Sequence, residues 1–243
     1  MDPQEISDRL RTLLLEKGAA LVGFADLNEV PLADRREMPF AVSLAFSLAP
    51  SIAAQISAGP NQEYFTEYKR INQTLLELGG LAAEFLQNLG YQAIYAAPTY
   101  TAPTDVGIDP ETLSTILPHK TVATRSGLGW IGKCALLVTE EFGSAVRLTT
   151  VLTDAELVVG RPVDQSRCGA CDACVEACPA QAPSGREWRL GLYRDSFFNP
   201  YQCRKTAGEK AREQGIDEII CGICIAVCPW TQKFIDRSST ASR

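Results

Sequence analysis

Apolar residues recur at helical spacing at the start of the chain. Ile6, Leu10, Leu13 and Leu14 predict an amphipathic helix over residues 3–18, ended by Gly18. Two short apolar runs follow, ALVGFAD (20–26) and FAVSLAFSL (40–48), and both read as strands, the second buried on both faces. Residues 61–89 return to the helical period through Tyr64, Tyr68, Ile71, Leu75, Leu78, Leu81, Ala82 and Phe85, with a glycine pair, Gly79-Gly80, inside. YQAIYAA (91–97) and LTTVLTD (148–154) read as further strands, and residues 98–118 as a loop with one short helix. Helices and strands mix without strict alternation, so the fold class is α+β. No internal repeat stands out.

Composition narrows the function. Hydrophobic residues make up 46% and charged residues 21% of the 243, enough for a sizeable core. The net charge of -6 argues against holding nucleic acid by bulk electrostatics. No apolar run approaches the length of a membrane span, and the amphipathic N-terminus has no basic leader, so a cytoplasmic protein is expected.

Nine cysteines change the picture. Eight fall between Cys168 and Cys228, and a cytoplasmic setting disfavours disulfides, so metal is the better reading. The chain divides near 155–165 into a cysteine-poor front (1–160) and a cysteine-rich back (161–243). The first run is Cys168-x2-Cys171-x2-Cys174-x3-Cys178-Pro179. The second is Cys221-x2-Cys224-x3-Cys228-Pro229, with Cys203 upstream. This is the spacing of two-cluster ferredoxins, whose CP cysteines cross to the other cluster. One [4Fe-4S] cube would then take Cys168, Cys171, Cys174 and Cys228. The other would take Cys203, Cys221, Cys224 and Cys178. Zinc is the competing reading, but zinc sites rarely show this crowding.

In the front, RSGLGWIGKCALLV (125–138) sets Gly127, Leu128, Gly129, Trp130, Gly132, Lys133 and Cys134 before a hydrophobic strand. Glycines admit a close ligand, indole offers a flat apolar face, and lysine can meet a negative edge. A tight turn explains the same letters. Cys134 is either a small buried hydrophobe or a reactive thiol. His119 reads as a loop or capping residue rather than a base. Tyr64, Tyr68 and Tyr100 are pocket candidates, the first two at least partly core. KTAGEKAREQG (205–215) reads as a solvated helix.

RSGLGWIGKCALLV, EFGSAVRLTTVLTD (141–154), CGACDACVEACP (168–179) and CGICIAVCPW (221–230) together resemble the epoxyqueuosine reductase family, related to corrinoid-dependent reductive dehalogenases. The resemblance implies a nitroreductase-like, cobalamin-binding front followed by a ferredoxin-like domain. It also implies that two [4Fe-4S] clusters feed electrons to a corrinoid contacted by residues 127–134. A low-potential donor such as ferredoxin or flavodoxin, and a corrinoid protein, are the partners it suggests. A flavin fits the implied fold but has no motif behind it. The family's queuosine-forming members have a helical-repeat tail that helps hold tRNA, so tRNA is not an expected partner for this shorter chain. The family's proton-donating aspartate has no counterpart at its usual place. The nearest acids are Asp105, Asp109 and Glu111. Two functions follow. One is a corrinoid-dependent reductase acting on a substrate other than epoxyqueuosine. The other is an electron-transfer protein or corrinoid activator with no organic substrate.

Overall fold

The structure is a computed structural model and describes residues 1–99 and 108–241. Tyr100 and Asp105 lie outside the described residues. The chain forms two compact units, each assembled from three stretches. It passes between them at 46/47, 70/71, 128/129, 146/147 and 163/164.

The first unit comprises Met1–Phe46, Ile71–Leu128 and Arg147–Val163. Helix α1 (Pro3–Glu16) begins with proline at its first turn, where no donor is wasted, and buries Ile6, Leu10 and Leu14. Gly18 follows it at φ +96°, a conformation that glycine adopts without steric cost. Strands β1 (Leu21–Asp26) and β2 (Phe40–Ser47) pair antiparallel, with Val22 opposite Leu44 and Phe24 opposite Val42. β3 (Ala93–Ala96) pairs antiparallel with β6 (Val146–Thr153), and the sheet order is β1-β2-β6-β3. β2 is buried continuously from Ala41 to Ala45, Ser43 included, as its largely apolar run predicts.

From Ile71 onward, helix α3 (Gln62–Asn88) belongs to this unit and buries Ile71, Leu75, Leu78, Ala82 and Leu86. A Cβ on Gly79 would stand 3.4 Å from the Tyr95 side chain, at ordinary packing distance. Residues 108–118 hold turns and the Asp109–Ser114 bridge, and the short helix α4 runs from His119 to Arg125. Pro118 caps it in an extended conformation, so the proline sets its start.

The second unit comprises Ser47–Arg70, Gly129–Val146 and Asp164–Arg243. It contains helix α2 (Pro50–Gln55), the first turns of α3 and a small hairpin of β4 (Trp130–Ile131) and β5 (Leu137–Val138). Helices α5 (Ala173–Glu176), α6 (Pro200–Glu213), α7 (Ile223–Ala226) and α8 (Pro229–Ala241) complete it. α6 contains the 205–213 part of the charged block read as a solvated helix. Asn199 caps it by accepting from the Tyr201 and Gln202 amides. α2 packs on α7 and α8. Trp130 meets Trp230 edge to face at 5.2 Å, and Ile131, Ala135, Trp188 and Phe197 form a small apolar cluster. Among the described residues, no helix is long and apolar enough to cross a membrane.

Candidate metal centre

The two CxxCxxxCP segments, Cys171–Pro179 and Cys221–Pro229, fold as one motif used twice. In the first, Glu176 N–H donates to Asp172 O at 3.0 Å, Ala177 to Ala173 at 3.1 Å and Cys178 to Val175 at 3.4 Å. In the second, Ala226 donates to Gly222 at 3.1 Å, Val227 to Ile223 at 3.1 Å and Cys228 to Ile225 at 3.3 Å. Each segment makes one helical turn, α5 or α7, stopped by the following proline, and the two turns pack together. The chain thus has a short internal repeat, contrary to the first reading of its sequence. The shared CxxCxxxCP wording was the signal.

The repeat brings distant thiols together. One cavity is lined by Cys168, Cys171, Cys174 and, from the other run, Cys228. Cys178 leaves its own run and lies within electrostatic reach of Cys203 and Cys221. Burial pushes the Cys203 thiol up to about 11, with Cys178 and Cys221 adding to the shift, and burial likewise raises Cys221. Cys224 also lines the first cavity, so it stands where the two sets approach each other. Among the described residues, no three His, Cys, Asp or Glu side chains gather for a single metal ion. A cube carries its thiolates on separate iron corners and does not need them to converge at one point.

The fit of a bulky group to the first cavity is visible at Gly132. A Cβ there would stand 2.9 Å from Val138 Cγ2, 3.5 Å from Cys168 Sγ and 3.8 Å from Cys134 Sγ. Glycine therefore keeps clear the space beside the first cysteine. Val138, Pro229 and Trp230 complete an apolar wall, the dry shell that tunes such clusters. Lys133 also lines the cavity, and its Nζ donates to Asp172 Oδ1 at 2.7 Å with the lysine side chain only 5% exposed. That hydrogen bond to the carboxylate raises the lysine's pKa and holds the cation in place. Sequence reading did not single out Asp172. The one acid inside the CGACDAC loop was its only signal. Glu187 was missed as well. Its carboxylate accepts from the Gly169 amide at 2.6 Å and ties the same loop.

Residues 127–134, read first as a corrinoid contact, are divided. Gly127 and Leu128 close the first unit, where a Cβ on Gly127 would meet Arg161 O at 2.7 Å. Gly129 onward belongs to the second unit. A Cβ on Gly129 would collide with Val138 O, and Trp130, Lys133 and Cys134 are 0%, 4% and 5% exposed. These glycines admit protein backbone and a cysteine sulfur; Gly127 is exposed and Leu128 half-buried, whereas side chains 130–134 are buried. Cys134 shares its cavity with both Cys174 and Cys224. The Cys174 contact favours its thiolate, but the Cys224 contact and burial outweigh it, holding Cys134 as a thiol.

Tyr64, Tyr68, His119 and Asp109 are each engaged by the fold. Tyr64 and Tyr68 are core residues. His119 is buried. Its Nε2 lies 3.0 Å from Ala97 O, which can only accept, so Nδ1, 2.9 Å from Thr150 Oγ1, is left to accept. Asp109 accepts from the Glu111 and Thr112 amides, which lowers its pKa and works against a role as acid.

Residues 167–231 match the model of a 4Fe-4S double cluster binding domain. That stretch is a double-cluster iron–sulfur domain. The chain carrying it is similar to the epoxyqueuosine reductase of Lactococcus garvieae (strain Lg2), with 36% identity over 59% of this chain and 38% of the relative. It is also similar to the tetrachloroethene reductive dehalogenase of Desulfitobacterium hafniense, with 28% identity over 77% of this chain and 31% of the relative. The chain spans less than half the length of the curated relatives it matches. Its fold is that of a catabolic reductive dehalogenase solved with 3-bromo-4-hydroxybenzoic acid (TM-score 0.71, 18% identity, 95% of this chain and 32% of that one). It is shared too with an epoxyqueuosine reductase solved with an epoxyqueuosine-modified tRNA-Tyr stem loop (TM-score 0.63, 16% identity, 94% and 66%).

Proposed function

We propose that the protein is a cytoplasmic iron–sulfur reductase component that passes single electrons through two [4Fe-4S] clusters toward a corrinoid. The observation that carries this reading is the crossing of Cys228 into the cavity of the first run, matched by the approach of Cys178 to Cys203 and Cys221. Cys168, Cys171, Cys174 and Cys228 would hold one cube, and Cys178, Cys203, Cys221 and Cys224 the other. When bound, the cubes supply one-electron transfer that side chains cannot. The chain's own work is to fix the thiols, exclude water with Val138, Pro229 and Trp230, and keep the Lys133 cation beside the first cube.

The corrinoid is supported by the fold shared with a reductive dehalogenase described as B12-dependent (TM-score 0.70). The burial of Trp130, Ile131, Lys133 and Cys134 favours a second reading, an electron-transfer protein or corrinoid activator with no organic substrate of its own. A ferredoxin or flavodoxin is the donor class for either reading. The substrate of the first differs from epoxyqueuosine, on the absence of the family's aspartate from its usual place.

Anaerobic reconstitution tests the core of the proposal. Iron and sulfide at about eight each per chain are expected for two cubes, and clearly lower values would overturn them. Titration with cobalamin and a low-potential reductant, followed in the visible spectrum, then separates the readings. Stoichiometric tight binding supports the reductase, turnover of free cobalamin without retention supports the activator, and no spectral change removes the corrinoid from both.

A further inference from the structure

The ninth cysteine has no place among the eight thiols assigned to the cubes, yet it is not a remote core residue. Cys134 sits on the loop between β4 and β5, 5% exposed, and lines the cavity with Cys168, Cys171, Cys174 and Cys228. The same cavity takes in Cys224, from the second set, so Cys134 stands beside thiols of both sets. The residues around it are built for this approach. Gly132 leaves the sulfurs of Cys134 and Cys168 a shared space that any side chain would enter, and Lys133 is pinned to Asp172 at 2.7 Å, which fixes the loop. Val138 closes the apolar side.

We propose that Cys134 is a tuning residue that donates its S–H to the ligand sulfurs where the two cubes approach each other, raising the reduction potential there. The inference rests on the two-cube reading above. A hydrogen bond to a ligand sulfur stabilises the more negative, reduced cluster, so each added donor makes reduction easier. No bond is made or broken in this role. The low-potential donor supplies the electron, and the thiol proton stays on Cys134 Sγ. One proton cannot serve two sulfurs fully at once, so the effect falls chiefly on one of the two cubes.

Three variants of the full chain, reconstituted anaerobically, separate donation from packing. Cys134→Ala removes the donor and leaves a gap, Cys134→Val removes the donor and fills the gap, and Cys134→Ser keeps a donor. Iron and sulfide are measured first, and the wild-type protein must hold about eight of each. A shortfall there defeats the two-cube reading before the variants are compared. The midpoint potentials are then taken by redox titration followed by electron paramagnetic resonance. The expected result is full iron loading in all three, with one midpoint shifted negative in both Cys134→Ala and Cys134→Val and restored toward wild type in Cys134→Ser. If Cys134→Val matches wild type, or none of the variants moves a midpoint, Cys134 only fills space and the proposal fails. If the variants lose about half the iron, Cys134 is itself a ligand and the proposal also fails. Should one variant not fold, the donor-bearing and donor-free members that remain still give the comparison.

Discussion

The sheet unit and the cysteine unit of this protein reach order by different routes. In the first, β1, β2, β6 and β3 pair along their lengths, and Leu10, Leu14, Phe24, Leu44, Ile71 and Leu75 are wholly buried between regular elements. In the second, strands β4 and β5 have two residues each, α5 and α7 have four, and residues 164–172 carry no helix or strand. Helices α6 and α8 are the long elements of that unit, but around the thiols themselves regular structure is short, and eight thiols stand ready to contribute more. The lesson concerns what a mutation or a change of conditions can reach. The sheet unit answers to burial and the cysteine unit to its ligands.

Removing a crossing ligand tests that contrast most severely. Cys228→Ser should lower iron from about eight to about four per chain. It should also open the second unit to limited proteolysis around residues 164–199 while the first unit stays resistant. Chelation of the wild-type protein should give the same uneven pattern, and equal cleavage of both units would break the comparison.

Acid should act on the other side of it. Burial holds His119 neutral, with its pKa at about 4, offset in part by the Ala97 carbonyl and reinforced by Arg147. An unfolded histidine titrates near 6.5, so the unfolded chain binds the extra proton between those values. The stabilisation is complete above about 6.5 and is lost as pH falls toward 4, by about 3 kcal/mol in total. Denaturation followed in the sheet unit against pH should show this loss. His119→Gln should remove the slope, and an unchanged slope would assign the acid sensitivity elsewhere.

Two glycines sharpen the contrast within the cysteine unit. Gly169 and Gly222 each follow the first cysteine of a CGxC loop at positive φ, 57° and 91°. A Cβ on Gly222 would lie 2.7 Å from Ile56 Cδ1, whereas one on Gly169 would meet nothing within 4 Å. Gly222→Ala should therefore cost about 2 kcal/mol and Gly169→Ala about 1 kcal/mol, read as shifts in denaturation midpoint. Equal costs would mean that Ile56 yields freely.

The smallest effect is expected at Lys133→Met. It removes the buried cation, but Asp172 is 45% exposed and remains solvated, so the loss should stay near 1 kcal/mol or below with full iron loading. A loss of iron instead would show that the ion pair holds the first cysteine loop together.

Some of this was readable from the chain. Helical spacing located α1 and α3, a largely apolar run identified β2, and the two cysteine runs named the eight thiols without help from structure. Other features left no periodic trace. α4 is seven residues long and begins after Pro118, too short to show a period. The ion pair of Lys133 with Asp172 joins residues far apart in the chain.

Local pattern is determined by what a few neighbouring residues do, and those rules act along the sequence itself: apolar period, proline and glycine punctuation, cysteine spacing. By itself the sequence carried the α+β class, the longer elements and the double-cluster cysteine pattern. It could not say that residues 129–134 would wrap the cysteine loops, or that Cys134 would meet Cys174 and Cys224. Those contacts depend on which segments pack together, and close packing is a property of three dimensions that no spacing rule encodes.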